Sequence, residues 1–374
     1  MKCEHFIITG VTGLVGQHVL YELLRKYLQG FFLEKIILLV RAESQEAAQT
    51  RIVNLLTHAE IPDDLTSYPV SKMLEPIEVL VWNLGQPVII PESLQLKKSY
   101  CLIHLASALD LSRDQRIYIK LKKINYDGTF DLIQQLSPFL KQVTFIGTAY
   151  TVLEEQKIIP NPDIVGDRTY RNPYERVKLE TELVLKEYCK AIDLELQIVR
   201  LGTICGRLID KPLYYTPTFF VFYGFCRFFY LAAQKQRPDR PNSCRIFANN
   251  RASLNITSCD YAAKGILAAL NSDLGEITIA QSKNLVDYIP KMLSDVGFNT
   301  YAIVSRMPPE QNQLEKSYYR VFGMALSIYT FYEYTFDVSS LRRIMPDIPE
   351  PDVEGNFAKL IEYANQRKYR DIIL

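Results

Sequence analysis

The stretch FIITGVTGLVG at residues 6–16 decides the fold. Its apolar start is typical of a short buried strand, and the amphipathic run at 16–28 is typical of a helix. Between the two, Gly10 permits a tight turn, Gly13 lets the backbone approach a pyrophosphate, and Gly16 allows close helix–sheet packing. The strand–turn–helix context favours a dinucleotide-binding loop over a glycine turn needed only for packing.

Short apolar runs alternate with helical patterns along the first two hundred residues. Predicted strands cover residues 6–9, 35–40, 78–81, 100–104, 142–147 and 195–200. Predicted helices cover residues 16–28, 45–60, 128–136 and 174–191. Strands buried on both faces of a parallel sheet show such apolar runs, and repeated strand–helix–strand units build a doubly wound sheet. We therefore predict an α/β fold with a Rossmann-type parallel sheet, whose domain covers residues 1–205.

The sequence changes in character after residue 205. Aromatic residues concentrate at 214–230 and 318–334, and a strand-like run at 276–280 follows a helical pattern at 261–270. We predict a smaller, mostly helical substrate lobe over residues 206–374. Residues 256–282 of that lobe could pack back onto the sheet.

Composition and charge argue against several classes of protein. The 43 Lys+Arg balance 42 Asp+Glu, so the net charge of +1 gives no reason to expect nucleic acid as partner. The 48% hydrophobic and 23% charged residues are typical of a globular chain. The seven cysteines are odd in number and contain no C-x-x-C pair, which predicts free thiols in a reducing compartment. The four histidines lack metal-ligand spacing, so we expect no metal.

The sequence also bears on location. The N-terminus lacks the basic region and cleavage site of a signal peptide. The longest apolar stretch, 219–233, is interrupted by Arg227 and is too short to span a bilayer. We expect a cytoplasmic protein without a transmembrane segment.

Arg41 follows the second predicted strand. An acidic residue there would receive the ribose 2′-hydroxyl of NAD, whereas an arginine can hold the 2′-phosphate of NADP. We therefore expect NADPH rather than NADH, although a solvated surface charge is the other interpretation of Arg41. Asn83 and Leu84, just past the third strand, are candidates for adenine contact or a plain surface turn.

Tyr174 and Lys178 lie four residues apart at the start of a predicted helix, after the helix-start signal Asn172-Pro173. They share one helix face. A lysine cation there would favour the phenolate form of Tyr174 and lower its pKa from the ordinary value of ~10. Thr148 closes a strand whose carboxyl end faces the ligand crevice. We predict that Thr148 and Tyr174 hydrogen-bond a substrate carbonyl, with Lys178 in support.

These motifs together resemble an extended short-chain dehydrogenase/reductase over about the first 205 residues. The resemblance rests on the glycine loop, His104-Leu105-Ala106, Asn125-Tyr126-Asp127-Gly128-Thr129, Thr148 and the Tyr174/Lys178 pair. Three further segments are similar to the thioester reductase and fatty acyl-CoA reductase branch, the male-sterility-like NAD-binding group. They are residues 39–42, 147–150 and, more loosely, 334–341.

The resemblance implies an NADP-binding domain and NADPH-dependent reduction of an acyl thioester to aldehyde or alcohol. The thioester would be carried by coenzyme A or an acyl carrier protein. Thr148, Tyr174 and Lys178 take the catalytic positions, and Asn125 supports a proton relay. The implied cofactor-binding positions are Thr9, Gly10, Thr12, Gly13, Leu14, Val15, Gly16, Arg41, Asn83, Leu84, Leu105, Ala106, Tyr174 and Lys178.

Two other functions stay open at this point. A nucleotide-sugar epimerase or dehydratase shares the core, but Arg41 and the aromatic lobe count against it. A non-catalytic dinucleotide sensor is opposed by the intact catalytic set. The aromatic segment 214–230 could be an acyl-chain pocket, an interfacial patch suited to peripheral membrane contact, buried core or a homodimer contact. His104 is expected to be positioned by the fold rather than to act as a base.

Overall fold

The computed structural model describes residues 3–90, 100–151, 156–158, 171–236, 243–249, 253–334 and 336–372. Thr335, in the tail segment that carries part of the resemblance, lies outside these ranges. The strands are β1 (His5–Thr9), β2 (Lys35–Val40), β3 (Ile77–Val81), β4 (Tyr100–His104), β5 (Leu140–Thr148), β6 (Gln156–Ile158), β7 (Glu195–Leu201), β8 (Thr203–Cys205), β9 (Cys244–Phe247), β10 (Ser253–Leu254), β11 (Ile256–Ser258), β12 (Glu276–Ile279), β13 (Leu285–Val286), β14 (Tyr301–Val304) and β15 (Tyr332–Tyr334). The helices are α1 (Gly16–Leu28), α2 (Gln45–Thr57), α3 (Val70–Leu74), α4 (Gln115–Leu121), α5 (Gly128–Leu136), α6 (Pro173–Ala191), α7 (Phe222–Ala233), α8 (Cys259–Leu270), α9 (Tyr288–Asp295), α10 (Gln313–Tyr318), α11 (Met324–Thr330), α12 (Ser339–Ile344) and α13 (Val353–Gln366).

A seven-stranded parallel sheet organises the molecule, in the order β12-β7-β5-β4-β1-β2-β3. The strand order reverses at β1, which pairs with β2 on one side and β4 on the other. Ligands of open α/β sheets bind outside the carboxyl ends of the strands at such a switch point. The sheet confirms the α/β Rossmann-type fold expected from the sequence.

The predicted strands of the first half are all present, with bounds that differ by two residues or fewer. The helix predicted over 45–60 ends earlier, at Thr57. His58 is extended there, and its ring Nδ1 accepts the Glu60 N–H at 3.1 Å, which turns the chain away from the helix axis. In the second half, β12 adds to the sheet beside β7, with Glu276 opposite Ile198. The domain division at residue 205 stays a prediction.

Both faces of the sheet are covered by apolar helix faces. One core cluster includes buried residues of α1, α2 and α8, and a second includes buried residues of α5 and α6. A third cluster fills the second half and contains much of the aromatic excess, including Phe222, Phe225 and Tyr318. Among the described residues, no helix combines the length and apolar character required to cross a membrane.

Two of the seven cysteines meet at the start of the sheet. Cys3 and Cys101 are in contact, with Cα atoms 6.2 Å apart, because β1 and β4 are neighbours and bring their starting ends together. A separation of 98 residues in sequence gave no hint of this contact. The other cysteines, Cys189, Cys205, Cys226, Cys244 and Cys259, are free and buried.

Asp260 fixes the turn that leads from the sheet into the second half. Its buried carboxylate accepts the backbone N–H groups of Leu208, Ile209 and Asp210, at 2.7–3.2 Å, and the Ser258 hydroxyl. Burial opposes ionisation, but the hydrogen bonds from Ser258 and the turn hold the Asp260 pKa below its usual range. The carboxylate therefore satisfies donors that would otherwise be buried and unpaired.

Replacing this carboxylate should destabilise the protein strongly. We expect Asp260→Ala to lower the free energy of unfolding by about 3 kcal/mol, because it leaves buried N–H groups unpaired. Asp352→Ala is the matched control, since Asp352 accepts a single N–H, from Gly355, at the exposed start of α13. Its loss should cost about 1 kcal/mol. Equal losses in urea denaturation would contradict the assignment.

Candidate active site

A cavity of about 400 Å³ opens at the carboxyl ends of the central strands. It joins three groups of residues that the sequence separates widely: the glycine loop, the predicted catalytic residues and the aromatic segments of the second half. Its lining includes Gly10, Gly13, Leu14, Val15, Gly16, Leu105, Ser107, Thr148, Tyr174, Lys178, Phe220, Phe222, Phe225, Tyr288 and Tyr318. Many of the predicted cofactor-binding positions, and three of the four predicted catalytic residues, therefore share one space with the aromatic segments.

The glycine loop is shaped by backbone contacts that exclude side chains. Gly10 has φ +70°, and a Cβ there would lie 2.8 Å from the Ala106 nitrogen. A Cβ on Gly16 would lie 2.1 Å from the Gly10 carbonyl oxygen, so α1 can begin here only with glycine. Gly13 closes the turn by donating its N–H to the same carbonyl at 2.9 Å. This arrangement fits a pyrophosphate at the start of a helix.

The ends of β1 and β4 are tied together beside this loop. The Thr9 hydroxyl accepts the backbone N–H groups of Leu105 and Ala106, at 3.1 and 3.0 Å. His104 is held between the hydroxyls of Thr9 and Thr129, each at 2.9 Å. Burial lowers the His104 pKa to about 3, so the ring is neutral and held in place rather than poised as a base.

Arg41 is exposed at the end of β2, and the structure adds a second arginine beside it. Arg51 on α2 donates to the Arg41 carbonyl at 2.5 Å and to the Thr12 hydroxyl at 3.0 Å. Burial and the Arg41 charge lower the Arg51 pKa. Arg51 therefore ties α2 both to the end of β2 and to the glycine loop. Sequence reasoning missed Arg51, although it lies in the helix predicted directly after Arg41.

Asn83 and Leu84 follow β3 at the same edge of the sheet. The Asn83 amide donates to Gln86 at 3.4 Å, and Leu84 packs against the core beneath α5. Neither residue lines the described cavity. Their predicted contact with adenine stays a prediction.

The predicted catalytic residues come together at the start of α6 and the end of β5. The Asn172 side chain caps α6 by accepting the Glu175 N–H at 3.0 Å, so Tyr174 and Lys178 lie on successive turns of one face. Thr148, Tyr174 and Lys178 all line the cavity. The Lys178 ammonium donates to the Ile146 carbonyl at 2.9 Å, which anchors it beneath β5.

The expected lowering of the Tyr174 pKa is not found in this structure. Burial raises the Tyr174 pKa to about 12, and a hydrogen bond with Ser107 opposes the increase only in part. Burial also lowers the Lys178 pKa to about 8, against the charge of Glu182 one turn further on. Desolvation outweighs the Ser107 hydrogen bond, and the neighbouring Glu175 charge adds to the increase, so Tyr174 is a neutral donor.

Asn125 holds the loop that carries Ser107, a residue that sequence reasoning missed, and its part in a proton relay stays a prediction. Asn125 lies in a π-helical segment, Lys122–Asp127, and its amide makes two hydrogen bonds to the backbone of Ala108, at 2.7 and 2.8 Å. These bonds fix the loop that presents the Ser107 hydroxyl to Tyr174. The available signal in the sequence was that Ser107 directly follows the segment His104-Leu105-Ala106.

A polar network connects the aromatic lobe to the catalytic helix. The Tyr329 hydroxyl donates to the Glu175 carboxylate at 2.6 Å and accepts from the Asn172 amide at 2.7 Å. Arg171 forms an ion pair with Glu175 at 2.7 Å. Burial raises the Glu175 pKa, and Arg171 opposes that increase. Residues on both sides of Tyr174 are therefore held by the second half of the chain.

No metal site emerges in this neighbourhood. Across the residues that the structure describes, no group of three histidine, cysteine, aspartate or glutamate side chains is arranged to hold a metal ion.

Fold and site define an NAD(P)-dependent oxidoreductase of the extended short-chain dehydrogenase/reductase kind. Within that class, residues 8–266 match the family model described as male sterility protein, and the chain belongs to this family. No curated protein sequence matches the chain significantly.

Solved structures with the same fold include biosynthetic reductase domains and epimerases. The terminal R domain of the myxalamid PKS-NRPS pathway is 16% identical, with a TM-score of 0.67, covering 99% of this chain and 93% of that one. A thiolation-reductase di-domain from an archaeal non-ribosomal peptide synthetase is 16% identical, with a TM-score of 0.65, covering 98% and 76%. A UDP-glucuronic acid 4-epimerase from Bacillus cereus is also 16% identical, with a TM-score of 0.60, covering 97% and 99%.

The Lys178 pKa of about 8 predicts a pH-dependent activity. Lys178 is protonated below that pH and loses its charge above it, so kcat/KM for NAD(P)H oxidation should fall as pH rises through about 8. Lys178→Arg keeps its charge at high pH, so the basic limb of its profile should disappear even if its rate is lower. If Lys178→Arg shows the same loss of activity at high pH as the wild type, a group other than Lys178 causes that loss.

Proposed function

We propose that this protein is an NADPH-dependent reductase of acyl thioesters, carried by coenzyme A or an acyl carrier protein. One observation carries the proposal: a single cavity runs from the glycine loop, past Thr148, Tyr174 and Lys178, into a mainly apolar space. The cofactor would occupy the half formed by residues 1–205, and the acyl chain the lobe formed by 206–374. A nucleotide sugar would need more polar partners than this lobe offers.

In this proposal NADPH, when bound, supplies the hydride that reduces the thioester carbonyl. Tyr174 donates its proton to the developing oxyanion, since burial keeps the phenol protonated. Thr148 donates a hydrogen bond to the same oxygen, and Ser107 orients the Tyr174 hydroxyl. Lys178, one helical turn after Tyr174, adds its positive charge to the same site. Collapse of the resulting hemithioacetal gives an aldehyde and a free thiol, and a second reduction of the aldehyde would give an alcohol.

Removing the proposed proton donor should abolish reduction but not cofactor binding. We expect Tyr174→Phe to lower kcat for acyl-thioester reduction by about 10²–10⁴-fold. NADPH affinity should be retained. Tyr68→Phe, at a 39% exposed position outside the cavity lining, is the control and should match the wild type.

The assay follows NADPH oxidation with coenzyme A and carrier-protein thioesters of several chain lengths, and identifies aldehyde and alcohol products. NADPH binding without turnover of any thioester would contradict the proposal. Co-purified NAD together with turnover of UDP- or GDP-sugars would favour the epimerase alternative instead.

We also propose that Arg41 and Arg51 select NADPH by holding the 2′-phosphate. A charge-assisted hydrogen bond contributes about 1.5–3 kcal/mol, so Arg51→Ala should weaken NADPH binding by roughly 10–100-fold. NADH binding should be unchanged. Arg342→Ala is a control, because Arg342 pairs with Glu350 in another part of the fold. Equal loss of affinity for both cofactors would show that Arg51 supports the loop rather than the phosphate.

A further inference from the structure

Two tyrosines from different helices of the second half line the cavity. Tyr288 begins α9 and Tyr318 ends α10. Their side chains are only 6% and 2% exposed, and both line the cavity. They are therefore buried from bulk solvent but open to whatever occupies this space.

The hydroxyl groups of these two residues have no hydrogen-bond partner among the residues that the structure describes. Neither oxygen is among the fully enclosed polar atoms that lack a partner, so both are reached from the cavity. The other phenols of the lining are engaged. Tyr150 contacts the Thr203 hydroxyl at 2.8 Å, Tyr329 donates to Glu175, and Tyr223 accepts the Gly206 N–H.

The Tyr288 and Tyr318 hydroxyls are close enough for Tyr318 to feel the charge that Tyr288 would carry when ionised. Burial raises the pKa of Tyr318, and the nearby Tyr288 adds to that increase. Burial likewise raises the pKa of Tyr288, and Tyr150 adds to it. Tyr150, two residues after Thr148, belongs to the same cavity lining. Both free hydroxyls stay neutral at physiological pH and can donate.

The surroundings of these hydroxyls are apolar. Ile246, Phe247, Leu254 and Met292 belong to the same lining. A saturated chain would cover both hydroxyls with methylene groups and leave them buried without partners, which is unfavourable. A site built to hydrogen-bond a substrate oxygen discriminates strongly against the analogue that lacks it.

The charged side chains of the cavity also limit which substituent of the substrate chain can lie beside the two phenols. Among the described lining residues, the charged side chains are Glu175 and Lys178. Glu175 is paired with Arg171, and Lys178 donates to the Ile146 carbonyl near the reacting group. A charged substituent on the chain would therefore meet no counter-ion at the two phenols. A neutral oxygen function suits them.

We propose that the cavity selects acyl thioesters whose chain carries a neutral oxygen function, a hydroxyl, keto or amide oxygen, that accepts hydrogen bonds from Tyr288 and Tyr318. This inference rests on the proposed thioester reductase function and names its substrate class. The oxygen lies along the chain, separate from the thioester carbonyl that Thr148 and Tyr174 address.

The test compares S-decanoyl-N-acetylcysteamine with its monohydroxy isomers, with the hydroxyl moved one carbon at a time. We expect at least one isomer to exceed the saturated substrate by about tenfold in kcat/KM, mainly through a lower KM. Tyr288→Phe and Tyr318→Phe should each remove most of this preference, because kcat/KM falls for the preferred isomer, which loses a hydrogen bond, and rises for the saturated chain, which no longer buries an unpaired hydroxyl.

Tyr319→Phe is the matched control. The Tyr319 hydroxyl donates to the Arg245 carbonyl at 2.6 Å and accepts the Phe247 N–H at 3.0 Å, outside the cavity lining. This variant should lose stability yet keep the substrate preference.

Equal reduction of saturated and hydroxylated chains by the wild-type protein would overturn the inference and leave the reductase function intact. A preference that survives in both Tyr288→Phe and Tyr318→Phe would overturn it as well. If the protein reduces none of these thioesters and none of their coenzyme A or carrier-protein counterparts, the proposed function itself is overturned and the inference with it.

Discussion

The close approach of Gly16 to the Gly10 carbonyl is the constraint on which the site depends. A Cβ at Gly16 would sit 2.1 Å from that oxygen, so the first helix can start directly above the first strand only without a side chain. The same loop lies against Ala106 after the fourth strand. This contact places the start of α1, the switch point of the sheet at β1 and the end of β4 around the mouth of one cavity.

The local parts of the fold could be predicted from the sequence because they depend on neighbours along the chain. Strand positions followed from apolar runs, and the start of the catalytic helix followed from Asn172, whose side chain does cap it. The structure also shows where the aromatic residues of segments 214–230 and 318–334 lie. Most of them belong to one buried cluster, while Phe222, Phe225 and Tyr318 also face the cavity.

What could not be predicted depends on contacts between distant segments. Arg51 and Ser107 reach the site only after the sheet is assembled, and the Cys3–Cys101 contact needs two strands brought together over 98 residues. The Tyr174 pKa is raised because burial outweighs the hydrogen bond with Ser107, and the spacing of residues in the sequence shows neither the burial nor that partner. The unpartnered phenols are likewise a property of the folded cavity.

The hydrogen bond between Tyr329 and Glu175 joins parts of the chain that are 154 residues apart, immediately beside Tyr174. Through this bond α11, which forms part of the cavity wall, is connected directly to the first turn of α6. A displacement of α11 that breaks the bond also releases Glu175, the residue next to Tyr174. In the proposed reaction, the position of the cavity wall and the alignment of the Tyr174 hydroxyl are therefore coupled.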